Sequence, residues 1–261
     1  MNIVPLLQNC KDDIKNFLLK KMHVKRIYIV GCSRSGTTML HYAMVAFQDT
    51  VLFEKETNLW SHPNIRDIFL LYKEKRHNNN IFYISKRHAE WWHTVDLYKS
   101  LDHIMKYDIY LINIVRDPRD VLTSKHPLEK RRYYVEPWYW EKSIEAADFL
   151  IKILGSYQNK LTIKYEEVVL SSNSIEAKLK SNLGLNLREN IKSWNNLKDN
   201  LEKLGSNNKM IPYMHKLRNF DRDSIGKWKS SEENKKYVEY LLKESEYRKK
   251  IMLFMERYGY V

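Results

Sequence analysis

Residues 25–38 read KRIYIVGCSRSGTT, an apolar strand that runs into a loop of small residues. Gly31 and Gly36 bracket this loop, and they are two of only seven glycines in the chain. Consecutive backbone N–H groups in such a loop converge on one oxyanion, and the positive end of the following helix favours the same charge. A nucleoside-triphosphatase has a lysine directly after the second glycine, whereas this chain has Thr37, and the nearest cation is Arg34. The sequence therefore predicts an anion site that does not hold ATP with magnesium.

The composition fits one globular domain over residues 1–261. A hydrophobic content of 43% suffices for a sizeable core, and no apolar run approaches the ~20 residues that a membrane-spanning helix needs. The first residues lack the basic segment and long apolar core of a signal peptide. Cys10 and Cys32 are the only cysteines, too few for a disulfide framework. We therefore expect a cytoplasmic protein without a membrane span.

The formal net charge of +13 favours anionic partners, which include nucleic acid, acidic glycans, acidic membranes and a polyanionic cofactor. A solvated, lysine-rich surface without a specific partner explains the total charge equally well. The solvated surface does not account for where particular arginines lie.

Apolar runs alternate with amphipathic segments along the chain, a pattern typical of an α/β fold. Strands are expected over 26–30, 51–53, 81–84, 109–115 and 160–165. Helices are expected over 11–22, 36–48, 138–154 and 174–182, and the last third is expected to be helical, ending over 232–257. Asp117 predicts an N-cap for a further helix that begins at Pro118. The prediction is a three-layer sandwich in which helices cover a central, mostly parallel sheet, with a helical C-terminal part.

Polar segments follow the predicted strands, and α/β proteins bind ligands at the carboxyl ends of parallel strands. The segments are the loop 31–38, Glu54–Thr57, Arg116–Ser124 and Tyr165–Glu167. The Arg116 guanidinium can bind a phosphate through two parallel hydrogen bonds. Ser124 lies eight residues later, about two helical turns on, where its hydroxyl can reach the same anion. Alone, Arg116 fits a surface ion pair equally well, but combined with the loop it indicates a phosphate site.

These segments resemble the motifs of the sulfotransferases that use 3′-phosphoadenosine 5′-phosphosulfate (PAPS). The family's [RK]-S-G-T-T loop is matched by Arg34–Thr38, and its Arg-Asp-Pro-Arg turn by Arg116–Arg119, with Ser124 as the serine eight residues on. Tyr165–Val168 resembles a later Tyr-Glu-acidic segment, and Gly226–Lys229 resembles a late Gly-x-Trp-Lys segment. The Arg-Lys-Gly that precedes the late segment in cytosolic members is absent. The resemblance covers most of the chain, in the same order, from about residue 25 to the end.

The resemblance implies a P-loop-like site for PAPS and for its product, 3′-phosphoadenosine 5′-phosphate (PAP). It implies that the 5′-phosphosulfate is bound by Ser33, Arg34, Ser35, Gly36, Thr37 and Thr38. It further implies that the 3′-phosphate is bound by Arg116 and Ser124, with Arg218 or Arg222 replacing the absent basic motif. Tyr165 would lie near the nucleotide.

The loop resembles most closely the carbohydrate- and tyrosylprotein-modifying branches, which use a glutamate after the second strand as the general base. Glu56 matches that position, and the resemblance implies that it takes the acceptor proton while Arg34 stabilises charge on the leaving phosphate. Glu54 is the reserve candidate, because alternate residues of an extended strand share a face. Another branch uses a histidine as the base.

Residues 58–105 correspond to the region that would vary with the acceptor, for which we expect a small molecule or a glycan with a hydroxyl or amine. We interpret the aromatic and basic cluster 86–93 as part of the acceptor site, whereas Trp138 and Trp140 fit helix packing at least as well. The histidines of this region, His88, His93 and His103, stay open as alternative bases. Their spacing matches no metal-ligand pattern, so no metal is expected.

Two other function classes are weaker. A P-loop kinase or other nucleotide-binding phosphotransferase would need the lysine that the loop lacks. A basic nucleic-acid-binding protein would explain the charge but would have no need of the loop, so nucleic acid is disfavoured as a partner.

Overall fold

The structure, a computed structural model, describes residues 4–57, 68–69, 71–73, 81–87, 92–125, 131–155, 159–187 and 221–261; within these, the side chains of 4–12, 53–57 and 94–96 are not described. In this part of the chain, no helix combines the length and the hydropathy needed to cross a membrane.

The centre of the fold is a parallel sheet of five strands within the described ranges. They are β1 (Val24–Val30), β2 (Thr50–Thr57), β3 (Ile81–Arg87), β4 (Tyr110–Val115) and β5 (Lys160–Lys164), in the order β2-β3-β1-β4-β5. After β1, the chain forms β2 and β3 on one side of β1, and it then crosses to the other side, where it forms β4 and β5. Such a crossing opens a crevice at the carboxyl ends of the strands, here those of β1 and β4.

Both faces of the sheet are covered. In β1, Ile27 and Ile29 belong to one buried cluster, and Tyr28 and Val30 belong to the cluster on the other face. Because side chains alternate along a strand, a strand buried on both faces reads as a continuous apolar run. The three-layer α/β fold expected from such runs is confirmed, and the sheet is parallel throughout the described strands.

Helices form the outer layers and the C-terminal part. They are α1 (Val4–Lys21), α2 (Thr37–Ala43), α3 (Thr94–Tyr107), α4 (Pro118–Leu122), α5 (Pro137–Ile153), α6 (Tyr165–Leu170), α7 (Ser172–Leu183), α8 (Glu232–Lys243) and α9 (Arg248–Tyr258). Short 3₁₀ turns cover Met44–Ala46, Arg222–Ser224 and Lys227–Ser230. One layer packs α2, α6 and α7 on the sheet, and the opposite layer packs α3 and α5.

Some expected boundaries are wrong. The helix expected over 36–48 ends at Ala43 and continues only as a 3₁₀ turn, and the stretch 232–257 contains two helices. Strand β2 continues to Thr57 instead of ending at Phe53. Asp117 caps α4 as expected, since its carboxylate accepts the Arg119 backbone N–H at 2.9 Å.

Candidate functional site

The glycines of the 31–38 loop are required by close packing. Gly31 has φ +148° and Gly36 has φ +99°. A Cβ at Gly31 would lie 2.5 Å from the Ile114 carbonyl oxygen, and a Cβ at Gly36 would lie 2.5 Å from the Tyr165 ring. The loop therefore sits against β4 and against the beginning of α6, two segments that also carry predicted site residues.

Internal hydrogen bonds hold the loop in a tight turn. The Ser35 backbone N–H and hydroxyl both donate to the Cys32 carbonyl, at 3.2 Å and 2.6 Å. Between them, Arg34 is exposed and has φ +68°, a left-handed conformation that is unusual for a residue with a side chain. The Cys32 side chain is buried, and burial raises the pKa of its thiol to about 12. This thiol stays protonated near neutral pH and is not a nucleophile.

Two buried cations that were not predicted to belong to the loop lie beside it. They are Lys86 and Arg87, the last residues of β3, which are 7% and 4% exposed. The Lys86 ammonium donates to the Thr38 hydroxyl at 2.9 Å, and the Arg87 guanidinium donates to the Ser33 hydroxyl at 3.0 Å. The sequence carries one signal for them, because two cations lie just beyond the apolar run 81–84, but the strand pairing that buries them is a tertiary contact.

His41 follows the loop in α2 and is fully buried. Its Nε2 lies 3.2 Å from the Ile84 carbonyl oxygen, which can only accept, so Nε2 carries the proton. Burial, and then the charge of Lys86, lower the pKa of His41 to about 3. His41 is therefore a neutral imidazole that links α2 to β3.

Arg116 connects the loop to the turn after β4. Its guanidinium donates to the Arg34 carbonyl at 3.0 Å and to the Ser224 carbonyl at 2.5 Å, and it lies 4.2 Å above the Tyr165 ring. Its nearest carboxylate in the described chain is Asp120, at 3.9 Å. The buried Nε of Arg116 has no hydrogen-bond partner among the described residues. A buried guanidinium N–H without an acceptor suits an anionic ligand.

The turn after β4 also holds the late segment of the chain. The Asp120 carboxylate accepts the backbone N–H groups of Gly226 and Trp228, at 2.8 Å and 3.0 Å. The Arg119 guanidinium forms an ion pair with Asp117 and lies 4.8 Å from the Trp228 ring centroid. Burial raises the pKa of Asp120, while both backbone bonds favour its charged form. The turn and the Gly226–Lys229 segment thus form one unit.

The Tyr165–Glu167 segment begins α6 and joins the same unit. The Tyr165 hydroxyl lies 2.7 Å from the Ser224 hydroxyl. The Glu166 carboxylate accepts the Asp117 backbone N–H at 3.0 Å and the Tyr260 hydroxyl at 2.8 Å. The structure therefore brings together the loop, the turn after β4, Tyr165 and the late segment.

Several other residues that were predicted to belong to the site, or to a neighbouring cluster, lie elsewhere or in other surroundings. Ser124 is not two turns into a helix, because α4 ends at Leu122, and its hydroxyl donates to the Val121 carbonyl at 2.7 Å. Arg222 is exposed in a 3₁₀ turn, and Arg218 lies outside the described residues. Trp140 is a core residue, 1% exposed, whereas Trp138 is 48% exposed.

The candidate bases of β2 are described only by their backbone. Glu56 is paired with Lys86, at the carboxyl edge of the sheet beside the loop. Between Leu52 and Glu56 β2 advances four residues, while its partner β3 advances two, from Ile84 to Lys86. Regular alternation is lost there, so the expectation that Glu54 shares a face with Glu56 does not follow from the backbone.

The structure describes two of the three alternative histidine bases. His103 is buried in α3, where its Nε2 accepts from Arg26 at 2.9 Å, toward the amino end of β1. His93 is exposed just before α3, and His88 lies outside the described residues. The described residues contain no cluster of His, Cys, Asp and Glu that could hold a metal ion.

Comparison with known proteins identifies the fold. No family model and no curated protein matches the amino-acid sequence. Among solved structures, the sulfotransferase domain from the curacin biosynthetic pathway matches with a TM-score of 0.53 and 15% identity, over 83% of this chain and 97% of that domain. The sulfotransferase domain of the Synechococcus PCC 7002 olefin synthase matches with a TM-score of 0.55 and 16% identity, over 80% of this chain and 88% of that domain. This chain has the sulfotransferase fold.

At these identities the likeness shows the fold alone. A looser likeness, with a TM-score of 0.48 and 15% identity, is to mouse sulfotransferase SULT7A1, solved in complex with PAP; it covers 91% of this chain and 93% of that one.

Proposed function

We propose that the protein is a PAPS-dependent sulfotransferase that acts on a hydroxyl or amine acceptor. One observation carries the proposal: the Arg116 guanidinium donates to the Arg34 carbonyl, which joins the anion-binding loop to the turn with the second phosphate motif. A ligand with two separated phosphates would contact both segments. PAP and PAPS have this character, with one phosphate at the 5′ and one at the 3′ position.

The cations and hydrogen-bond donors of the site fit such a ligand without a metal. Arg34 is exposed in the loop, Lys86 reaches Thr38, and Arg116 has a buried Nε that lacks an acceptor in the described chain. Arg34, Lys86 and the loop N–H groups would hold the 5′-phosphosulfate, and Arg116 would hold the 3′-phosphate. When bound, PAPS supplies the sulfuryl group, with PAP as the leaving group.

The chain's own contribution is electrostatic stabilisation and proton removal. Arg34 lies in the loop and Lys86 lies beside it. Both cations would stabilise the negative charge that grows on the leaving phosphate during an in-line displacement. Glu56 is the proposed general base, which takes the proton from the acceptor oxygen or nitrogen. Its backbone pairing with Lys86 at the carboxyl edge supports this role.

Ligand-induced stabilisation tests the donor assignment. PAP at 100 times its Kd would add about 2.7 kcal/mol to the free energy of unfolding. For a chain of this size we expect the midpoint of thermal unfolding to rise by about 5–10 °C. ATP with magnesium and a DNA oligonucleotide serve as comparison ligands. The proposal fails if PAP gives no stabilisation while either comparison ligand does.

The base assignment needs an acceptor, which a screen with radiolabelled PAPS and mixed hydroxyl and amine compounds would provide. We expect Glu56→Gln to lower kcat about 10²–10⁴-fold, the usual contribution of a general base, and to leave the Kd for PAP within about threefold. Glu54→Gln is the matched control and should retain turnover. Normal turnover by Glu56→Gln would transfer the assignment to Glu54 or a histidine.

A further inference from the structure

Behind the loop lies a buried polar network that the roles proposed for Arg34, Lys86, Arg116 and Glu56 do not use. The Ser33 hydroxyl accepts from the Arg87 guanidinium at 3.0 Å and lies 2.8 Å from the Tyr139 hydroxyl. Ser33 and Arg87 are 6% and 4% exposed. Tyr139 belongs to the first turn of α5, and its ring packs edge-on against Trp92 with centroids 4.3 Å apart. The network therefore joins β3, α5 and the loop.

The network lies next to Arg34, the loop residue with the strained backbone conformation. Ser33 directly precedes Arg34, whose φ of +68° is disfavoured for any residue with a Cβ. Such strain persists only where the surrounding structure over-determines it. The Ser33 side chain is held from the β3 side, and the Arg34 carbonyl is held from the β4 side by Arg116. Both ends of the strained unit are thus held by hydrogen bonds: those at Ser33 are buried or half-buried, and the one from Arg116 to the Arg34 carbonyl is exposed.

Stability alone does not account for Arg87. Burial of a cation carries a desolvation cost, and hydrophobic replacements of buried charged groups are often neutral or stabilising. A guanidinium aimed at the hydroxyl next to the strained residue instead fixes one conformation, because it offers only donors and Ser33 must accept. Preorganised N–H groups bind an anion without reorganisation at the moment of binding.

We propose that Ser33, Arg87 and Tyr139 are positioning residues that hold Arg34 and the loop N–H groups in the conformation that binds the 5′-phosphate. This inference rests on the proposed function. It predicts an effect centred on one end of the nucleotide, because the described hydrogen bonds of the network reach Ser33 of the loop and none of them reaches Arg116.

The experiment compares three nucleotides by calorimetry: PAP, adenosine 5′-monophosphate and adenosine 3′-monophosphate. We expect Ser33→Ala and Arg87→Met each to weaken PAP and the 5′-monophosphate about tenfold, the equivalent of one hydrogen bond to a charged group. Binding of the 3′-monophosphate should change less than twofold. Arg87→Lys, which retains a donor, should recover part of the loss. The double variant Ser33→Ala/Arg87→Met should bind no more weakly than either single variant.

Ser181→Ala is the matched control, because the Ser181 hydroxyl is exposed and bonds only within α7 in the described contacts. Ser33→Ala and Tyr139→Phe each remove one oxygen, so they carry the test if Arg87→Met does not fold. Equal weakening of all three nucleotides would indicate a merely structural role and overturn the inference, as would unchanged binding. If the wild-type protein binds none of the three nucleotides, the proposed function fails and the inference fails with it.

Discussion

The buried imidazole of His41 makes the stability of the protein depend on pH in a way that can be calculated. Its pKa is about 3 in the folded protein, against an ordinary value of 6.5. Above pH 6.5 both states hold it neutral, and the stabilisation is fully present. As the pH falls from 6.5 toward 3, the unfolded chain binds a proton that the folded chain does not, so the stabilisation is progressively lost.

The magnitude follows from the gap between the two pKa values. A pH of 5.0 lies about 1.5 units below the pKa of the histidine in the unfolded chain. The free energy of unfolding at pH 5.0 should therefore be about 2 kcal/mol lower than at pH 7.5. Urea unfolding followed by tryptophan fluorescence at both pH values measures the loss. His41→Gln keeps an Nε2–H donor for the Ile84 carbonyl but does not titrate, so the wild-type protein should lose about 2 kcal/mol more than this variant.

His93→Gln, the same substitution at an exposed histidine, is the control for the substitution itself. Other titrating groups are common to all three proteins and cancel in the comparison. Equal pH dependence of the wild-type protein and His41→Gln would refute the assignment of His41 as a buried neutral group.

Further substitutions test the packing and charges of the site. Gly36→Ala should lower the free energy of unfolding by about 1–3 kcal/mol, because the new methyl group overlaps Tyr165. Gly184→Ala is the control: Gly184 also has a positive φ, of +73°, but open space surrounds its Cβ position, so this variant measures the cost of the backbone conformation without the clash. Urea unfolding measures both variants. Arg116→Ala should weaken PAP about 10–100-fold in calorimetry, because charged hydrogen bonds to the ligand are lost, and an unchanged Kd would exclude it from the site. In a Cys10→Ser background at pH 8, the Cys32 thiol should react with a disulfide reagent about 1,000-fold more slowly than an ordinary thiol, and rapid reaction of the folded protein would show that its pKa is not raised.

Local rules account well for the parts of the fold that depend on neighbours in sequence. The apolar run of β4, the Asp117 cap and the glycine loop could all be read from the chain, because each is determined by a few adjacent residues. The pairing of Arg116 with the loop followed from topology, since the carboxyl ends of parallel strands meet at one edge.

The parts that were missed depend on tertiary contacts. Lys86 and Arg87 resemble a solvated strand end in the sequence, and they are buried beside the loop because β3 pairs with β1 on one side and with β2 on the other. The polar residues after Phe53 have little strand propensity of their own, and pairing with β3 extends β2 to Thr57. The break between α8 and α9 has no Gly or Pro, and it coincides with the buried Ser245, whose hydroxyl donates to the Leu241 carbonyl.

The hydrogen bond between Arg116 and the Arg34 carbonyl has a consequence for selectivity. It fixes the separation between the two segments that are proposed to bind the phosphates, so the proposed site would select ligands by the distance between their phosphates. On the proposed function, a nucleotide whose phosphates match this spacing would gain both contacts at little entropic cost. An isomer with the second phosphate on the neighbouring ribose carbon would carry the same charge at a different spacing, so it would lose one contact or break the hydrogen bond between Arg116 and the Arg34 carbonyl.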